Sequence, residues 1–564
     1  MEYSIMVKRI SFFLPGVFLL FSVFFMWPVS PAPAQILDHF SLDSSEYEAL
    51  DTLYIRKGKI PPFYSRPFSN YQYLEKLREM RNTGTAFTGV YRDTADALLE
   101  KLENLEANEK FIKPILITNL RLQYRNEELS DFDSYIYYRD SLENPPLLDA
   151  GFKAGVPYVI ARMEFDIRRD FFTGFQPGFN TNLPVGDPWI EEIDYTFPTK
   201  GYMKIGGKYA DLLIGRDRLR WGPGYRGSLL LADSPPYYDM INGSLTLRNF
   251  KYSIMYASLE SYLTGGEYAF QEEASTVGTI NFYKPSSDQY KTLAGHRIEF
   301  SLFDRASFGI AELMVVGGRV PELSEMTPMT FFHNGYGENY MNVNVSFDAA
   351  AVPVRNLMVY GEFFIEDIRG AWEKNLAPPT SLGGMTGFRY VHEAGPGLLD
   401  FHFEWVRLDP WVYNRWQPYC IFTARKKFMS AASGQNTFLD FPVGYFLGPD
   451  VDSLFFEAAW KIYNRISASL SYEFRRKGRI YLDFMDPDSN FIELMNEGYT
   501  TPSGIPVLSH IFTLKGMYRF TPYLSASLGL SGGHRKNRLH QEGDNGYFFE
   551  TTFNFSAEGA GKFF

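Results

Sequence analysis

Four arginines gather in one short stretch, Gly215 to Leu231, which reads Gly-Arg-Asp-Arg-Leu-Arg-Trp-Gly-Pro-Gly-Tyr-Arg-Gly-Ser-Leu-Leu-Leu. A guanidinium group presents paired donors to a carboxylate, so Arg216, Arg218, Arg220 and Arg226 suit an acidic saccharide. Trp221, Tyr225, Tyr237 and Tyr238 add aromatic faces on which sugar rings can stack. The same arginines can instead pair with carboxylates of this chain, for which Glu362, Glu366, Glu404 and Asp239 are candidates. If Leu212 to Trp221 is extended, the two-residue period sets Arg216, Arg218 and Arg220 on one face and Leu213, Gly215, Leu219 and Trp221 on the other. Asp217 then falls toward lipid, which puts it at a rim or ends the strand before it. A dry apolar core refuses unpaired charges. The wall of a water-filled membrane barrel accepts them, because one of its faces meets lipid and the other a polar lumen.

Other chemistry is thinner. Trp221-Gly222-Pro223-Gly224 lacks a backbone donor at Pro223 and is free to bend on either side, so it either folds inward to constrict a pore or forms a hairpin turn. His333 beside Asn334 is a candidate sugar-binding pair or a hydrogen-bonded residue of the lumen. Gly448-Pro449-Asp450 with Asp452 is a weak calcium pattern, two carboxylates without a glycine-spaced loop. The single cysteine, Cys420, and the eight scattered histidines show no metal-ligand spacing, and no metal or cofactor is expected. No nucleophile elbow accompanies any histidine, and carboxylates are too common to single out a glycosidase pair, so no enzymatic activity is expected. The formal net charge is −11, and removing Glu2, Lys8 and Arg9 with an N-terminal leader takes away a net +1 to leave −12, which argues against a nucleic-acid partner.

The elements that position these residues begin with export. Lys8 and Arg9 precede an apolar run from Ile10 to Trp27, and Ala32-Pro33-Ala34 supplies small residues for cleavage, so residues 1–34 read as a signal peptide. A retained membrane anchor is the alternative; the polar continuation after Ala34 favours removal. Residues 35–111 carry helical spacing. Ser69 and Gln72 resemble a capping box followed by Leu74, Leu77 and Arg81, Leu98, Leu99, Leu102 and Leu105 line one stripe within Asp93–Leu105, and an earlier helix covers Ser44 to Tyr54. Pro61-Pro62 and Pro67 separate these helices into a small bundle.

From Ile112 to the end, residues 112–564, the period becomes two. Ile466, Ala468, Leu470, Tyr472 and Phe474 alternate with Ser467, Ser469, Ser471, Glu473 and Arg475, and the same grammar recurs at Ala161–Arg168, Met341–Asp348 and Leu524–Leu530. Aromatic residues reach 17%, as girdles at two membrane interfaces require, while mean hydropathy stays slightly negative because polar residues interleave. Strands that cross a bilayer use roughly 20 to 26 residues each with their connections, so about 440 residues give about 17 to 22 strands. The expected fold is an all-β transmembrane barrel of about 18 antiparallel strands with a small N-terminal periplasmic α-helical bundle. Gly317-Gly318, Gly532-Gly533 and Asp544-Asn545-Gly546 read as turns, Gln176–Pro188 and Gln435–Asp450 as long loops, and the last strand is irregular or ends near Phe555.

The motifs themselves resemble a known family. Gly215-Arg216-Asp217-Arg218, Trp221-Gly222-Pro223-Gly224 and Ser228-Leu229-Leu230-Leu231 are similar to the signature of the Wzi family of capsule-assembly outer-membrane proteins. Pro235–Ile241, Thr327–Asn334, Tyr360–Asp367 and Leu447–Asp452 resemble the same family in the same order. The resemblance implies an 18-stranded barrel with a periplasmic helical bundle, located in the outer membrane, that binds exported capsular polysaccharide and holds it at the cell surface. Its implied partners are capsular or other surface polysaccharide and outer-membrane lipid, with contact to the export machinery left open and a monomer expected. The residues expected to meet polysaccharide are Arg216, Arg218, Arg220, Trp221, Tyr225, Arg226, Tyr237 and His333. The competing reading is an outer-membrane channel or transporter for a small solute or saccharide.

Overall fold

The computed structural model describes residues 34–82, 87–106, 110–127, 146–169, 177–186, 192–194, 200–268, 290–327, 329–332, 341–368, 380–415, 418–429, 436–482 and 500–559. The expected signal peptide up to Pro33, His333 and Asn334, and the terminal Phe563-Phe564 lie outside them.

Alternation drives the chain into a closed antiparallel sheet. Twenty segments belong to it; Gly178–Thr181 and Ile193–Asp194 are short supplements, which leaves eighteen wall strands from Phe111–Arg125 to Asn545–Glu558. The last strand closes on the first with Ile117 opposite Glu558 and Arg125 opposite Glu550. It runs three residues beyond Phe555. Tight turns alternate with long connections around the barrel, and all the tight turns lie at one end. Phe303 and Asp304 both take positive φ, 53° and 55°, in the tight turn that joins Leu302 to Ala306. Short turns mark the periplasmic end of such a barrel and long loops the outer end. Gly532-Gly533 is not a turn: it lies within strand Leu524–Lys536, opposite Phe549 and Phe548. Nor is Gln435–Asp450 a plain loop, since Asn436–Pro442 pairs with Thr423–Met429 in a hairpin that crosses the outer mouth. There Arg425 reaches Glu267 and the carbonyl of Tyr262 beyond strand Phe250–Leu259.

The two wall faces differ as the sequence pattern demands. Outward positions such as Ile298, Ile310, Phe347 and Leu470 are exposed. Inward positions carry charge. Arg297, fully buried, donates to Asp348 at 2.5 and 3.0 Å and to Glu299 at 2.9 Å. Gly309 makes this crossing possible, because a Cβ there would lie 2.3 Å from the Arg297 guanidinium.

Three helices enter the periplasmic end of the lumen: α1 (Ser45–Lys57), α2 (Asn70–Asn82) and α3 (Gly89–Glu106). Ser44 caps α1, and Gly58 in the left-handed region (φ 72°) closes it by donating to Ile55. The Ser69 hydroxyl accepts from the Gln72 backbone at 3.3 Å, but the Gln72 side chain turns to Thr246 of the wall instead of completing a capping box. Leu74, Leu77, Leu98, Leu99 and Leu102 are buried together with wall residues Ile160 and Leu398. Arg81 is exposed, and Met80 takes the buried position. Backbone bonds fix the bundle to the tight turns: Ile60 donates to Asp304 and Asn356 donates to Ile55.

Candidate functional site

Strand Ala210–Asp217 ends where its arginines begin, so the expected single face of Arg216, Arg218 and Arg220 does not form. Asp211, Leu213 and Asp217 point inward, while Ile214 and Arg216 point outward. Asp217, expected toward lipid, is buried in the lumen 2.6 Å from His39 and 3.6 Å from Lys200. Arg216 lies on the outer rim, paired with Asp239 at 2.7 and 3.0 Å. Tyr237 stands between two cations, with the Arg216 guanidinium and the Lys426 ammonium each 3.9 Å from its ring centre. Burial pushes the Lys426 ammonium down to about 7, against the pull of Asp239.

After Asp217 the chain turns into the lumen. Arg220–Trp221 pairs with Ser65–Arg66 of the bundle, so loop and bundle meet as a two-stranded sheet inside the barrel. Trp221 is 1% exposed and donates its backbone N–H to Leu231 at 2.9 Å. Of the two sequence readings for Trp221-Gly222-Pro223-Gly224, the inward fold is the observed one. Gly222 needs to be glycine, since at φ 140° a Cβ would lie 2.5 Å from the Ser228 hydroxyl.

Three wall glutamates receive this loop and its neighbours. Glu362 accepts from the Ser228 hydroxyl and from the backbone of Leu229 and Leu230 at 2.9 to 3.2 Å. Glu404 accepts from the Tyr225 backbone at 2.7 Å and the Tyr360 hydroxyl at 3.0 Å. Glu366 accepts from the Tyr413 backbone and the Asn342 side chain. The arginines take other partners. Arg218 meets Asp43 at 2.6 Å and the Asp233 carbonyl at 2.7 Å, Arg220 lies 3.9 Å from Asp233, and Arg226 pairs with Glu473 at 3.0 Å. Of the four carboxylates foreseen as arginine partners, Asp239 is one in fact. Leu229, Leu230, Leu231, Tyr413, Phe422, Val443, Tyr445 and Phe446 join Ile55, Ile60 and Tyr64 of the bundle in one buried apolar cluster across the lumen. The interior expected to be wet is therefore largely packed.

A cavity of about 350 Å³ lies between α1, this loop and the wall. Of the sequence candidates, Arg220 and Tyr225 line it. Tyr225 donates to Glu457 at 2.6 Å and stacks on His402, ring centres 3.7 Å apart. Asp400 beside it accepts from Arg389 at 2.8 and 3.0 Å and faces His402 at 3.0 Å. Glu48, Asp400 and His402 bring ligand atoms within 4.8 Å of one another, yet Arg389 and Lys461 already supply the opposing charge. Arg389, Asp400 and His402 escaped the sequence reading, although Asp400, His402 and Glu404 at two-residue spacing carry the signal of an inward polar row. The carboxylates of the weak calcium pattern diverge: Asp450 accepts from Ile480 and Ser503, Asp452 from Trp405 and Arg476.

Comparison with known proteins decides the family. The profile described as "Capsule assembly protein Wzi" matches residues 197–545, more than half of the chain. The chain belongs to the Wzi capsule assembly family. Among solved structures it is similar to Escherichia coli Wzi, described as an outer-membrane protein involved in group 1 capsule assembly and a carbohydrate-binding β-barrel, with 12% identity, 92% of this chain and 98% of that chain covered, and a TM-score of 0.56. Pseudomonas aeruginosa OccD3 (OpdP) follows at 10% identity, 79% and 91% coverage and a TM-score of 0.40, and P. aeruginosa OprD at 12%, 81% and 98%, and 0.39. No curated protein matches. The Wzi-like segments Gly215–Leu231, Tyr360–Asp367 and Leu447–Asp452, far apart in sequence, meet in the lumen plug, through Glu362 and through Leu447 in the apolar cluster.

Proposed function

We propose that this chain is a non-conducting outer-membrane barrel that binds exported capsular or other surface polysaccharide and anchors it at the cell surface without covalent chemistry. One observation carries the reading: the pairing of Ser65–Arg66 with Arg220–Trp221, sealed by the apolar cluster, fills the lumen. With the lumen occupied in this way, the polysaccharide is held at the outer loops rather than threaded through. The carbohydrate binding described for the E. coli protein supports the ligand class. Export on a signal peptide ending at Ala34, with residues 35–111 as periplasmic bundle and 112–564 as barrel, belongs to the same proposal.

The eight candidate residues divide under this reading. Arg216 and Tyr237 stand at the rim and are proposed to contact acidic sugar, whereas Arg218, Arg220, Trp221, Tyr225 and Arg226 hold the plug. His333 stays a candidate outside the described residues. A deletion strain stained for cell-associated and shed polysaccharide tests the function, with complementation by the intact gene. Shedding that rises on deletion and falls on complementation is expected. Large stable currents from the purified protein in planar bilayers, with unchanged polysaccharide retention, would favour the channel reading.

A further inference from the structure

The described part of the family segment Thr327–Asn334, Thr327 and Met329 to Phe332, lies on the outer side of the wall. Strand register settles the faces: Arg297 and Asp348 point inward, so Tyr256, His296, Glu312, Met314 and Met341, at the alternate positions of neighbouring strands, face outward. Further along that outer face toward the periplasmic turns, Ile298, Phe308, Ile310 and Phe347 are exposed and form the lipid-facing wall. Nearer the outer mouth the wall is covered. The chain leaving strand Ala306–Gly317 folds back over it, and Phe332 packs among Ala294, Met314, Val316, Met341 and Val343.

Beneath this flap lies an ionisable pair, His296 and Glu312, 3.2 Å apart on the outside of the barrel. The Phe332 ring stacks on His296 at 4.8 Å, and the Phe332 N–H donates to Glu312 at 2.8 Å. The Tyr256 hydroxyl donates to the carbonyl of Met326. Polar groups of the flap are matched to one another: Arg319 pairs with Glu325, Glu322 donates its N–H to Glu325, and the Thr327 hydroxyl donates to Leu323. Three large apolar side chains of the flap turn away from the wall, Leu323, Met329 and Phe331, exposed by 76, 82 and 69%, beside exposed Glu322, Thr327 and Thr330. Side chains of that size, exposed together, mark a contact surface.

We propose that residues 318–327 and 329–332 form a lipid-contacting flap, in which Leu323, Met329 and Phe331 lie against acyl chains of the outer leaflet near its headgroups while Phe332 seals His296 and Glu312 from them. Continuity chooses the occupant: the flap is an extension of the wall face that already meets lipid. An ionisable pair bared to hydrocarbon is costly, and irregular backbone is not left bare in the hydrocarbon core, so the flap covers the pair and sits near the headgroups, where its exposed Glu322, Thr327 and Thr330 meet water.

Nitroxide labels on M329C, F331C and L323C, in the full barrel reconstituted into phosphatidylcholine vesicles, test this directly. F347C serves as the lipid reference and Y262C, on an outer loop, as the aqueous one; the wild type, whose sole thiol Cys420 is buried, is the unlabelled blank. Flap labels are expected to lose accessibility to a water-soluble nickel complex down to the F347C level while keeping accessibility to oxygen. Nickel accessibility equal to that of Y262C at all three positions overturns the proposal, as does dipolar broadening between labels, which would put a second copy of the chain on the flap. Heat-modifiable migration confirms that each labelled variant is folded before it is read.

Discussion

Asp348 and Glu362 stand opposite each other on neighbouring strands and both point into the lumen, yet they hold different things. Asp348 grips the buried guanidinium of Arg297, a bond within the wall. Glu362 bridges to no cation among the described residues; it gathers the backbone and hydroxyl donors of Ser228, Leu229 and Leu230, a bond from wall to plug. Two carboxylates facing each other across a ladder repel. The arrangement persists because each is separately saturated. Charge inside this barrel thus serves two ends, integrity of the cylinder and docking of the segment that closes it, and substitution should separate them.

The largest effect is expected at the wall. Asp348→Ala leaves Arg297 buried with Glu299 alone, and breaking a buried pair in this way costs about 3 to 5 kcal/mol. Denaturant titration of the reconstituted barrel, followed by heat-modifiable migration, reads that loss, and bilayer conductance should stay as low as in the parent. Glu362→Ala should do the reverse. Each donor stranded in the plug costs about 1 to 3 kcal/mol, a cost borne by loop docking, so transient conductance is expected from a barrel that still migrates as folded. Equal conductance from both variants would mean that plug and wall form one cooperative unit.

A gentler handle exists where the bundle meets the wall. Burial holds the His39 imidazole below its usual 6.5, against the pull of Asp217 at 2.6 Å. Between the folded value and 6.5 the unfolded segment binds more protons, so docking strengthens as pH rises and weakens as pH falls through 6.5. Hydrogen-exchange protection of α1 should drop over that interval in the parent and lose this dependence in His39→Gln. Docking that instead weakens as pH rises through 6.5 would show that Asp217 holds His39 charged, and a pH-independent parent would show that burial and the ion pair cancel.

Architecture was legible because periodicity is a local property. Leu470 against Glu473 and Arg475, or Phe347 against Asp348, already declares which face meets lipid, and chain length divided by the span of a strand gives a range of about 17 to 22 that holds the observed eighteen. Helices were legible for the same reason, although the first, read over Ser44 to Tyr54, runs on to Lys57. The site was less so. Alternation extended through Arg220 put three arginines on one face, whereas the wall strand stops at Asp217 because the next residues find a partner in Ser65–Arg66, some 150 positions away. The roles of Glu362, Glu366 and Glu404 were hidden similarly: sequence shows a carboxylate, and a cation is its obvious mate, but the donors that reached them were peptide N–H groups brought in by tertiary folding. Gly532-Gly533 misled as a turn because pairing, not composition, kept the strand straight through it.

The smallest structural effect, and the most informative for function, is expected at the rim. Arg216 and Asp239 remain partly exposed, with side chains 26 and 46% accessible, so their bond is worth about 0 to 1 kcal/mol to the fold. Arg216→Gln should therefore leave folding and conductance untouched while lowering retention of acidic polysaccharide on whole cells. Arg220→Gln, one turn of chain further on but paired into the plug, should leave retention near the parent level and raise conductance if it acts at all. Retention lost equally in both would place the sugar in the lumen, and retention lost in neither would make the rim arginine a fixture of the wall, its charge answered by Asp239 and the ring of Tyr237.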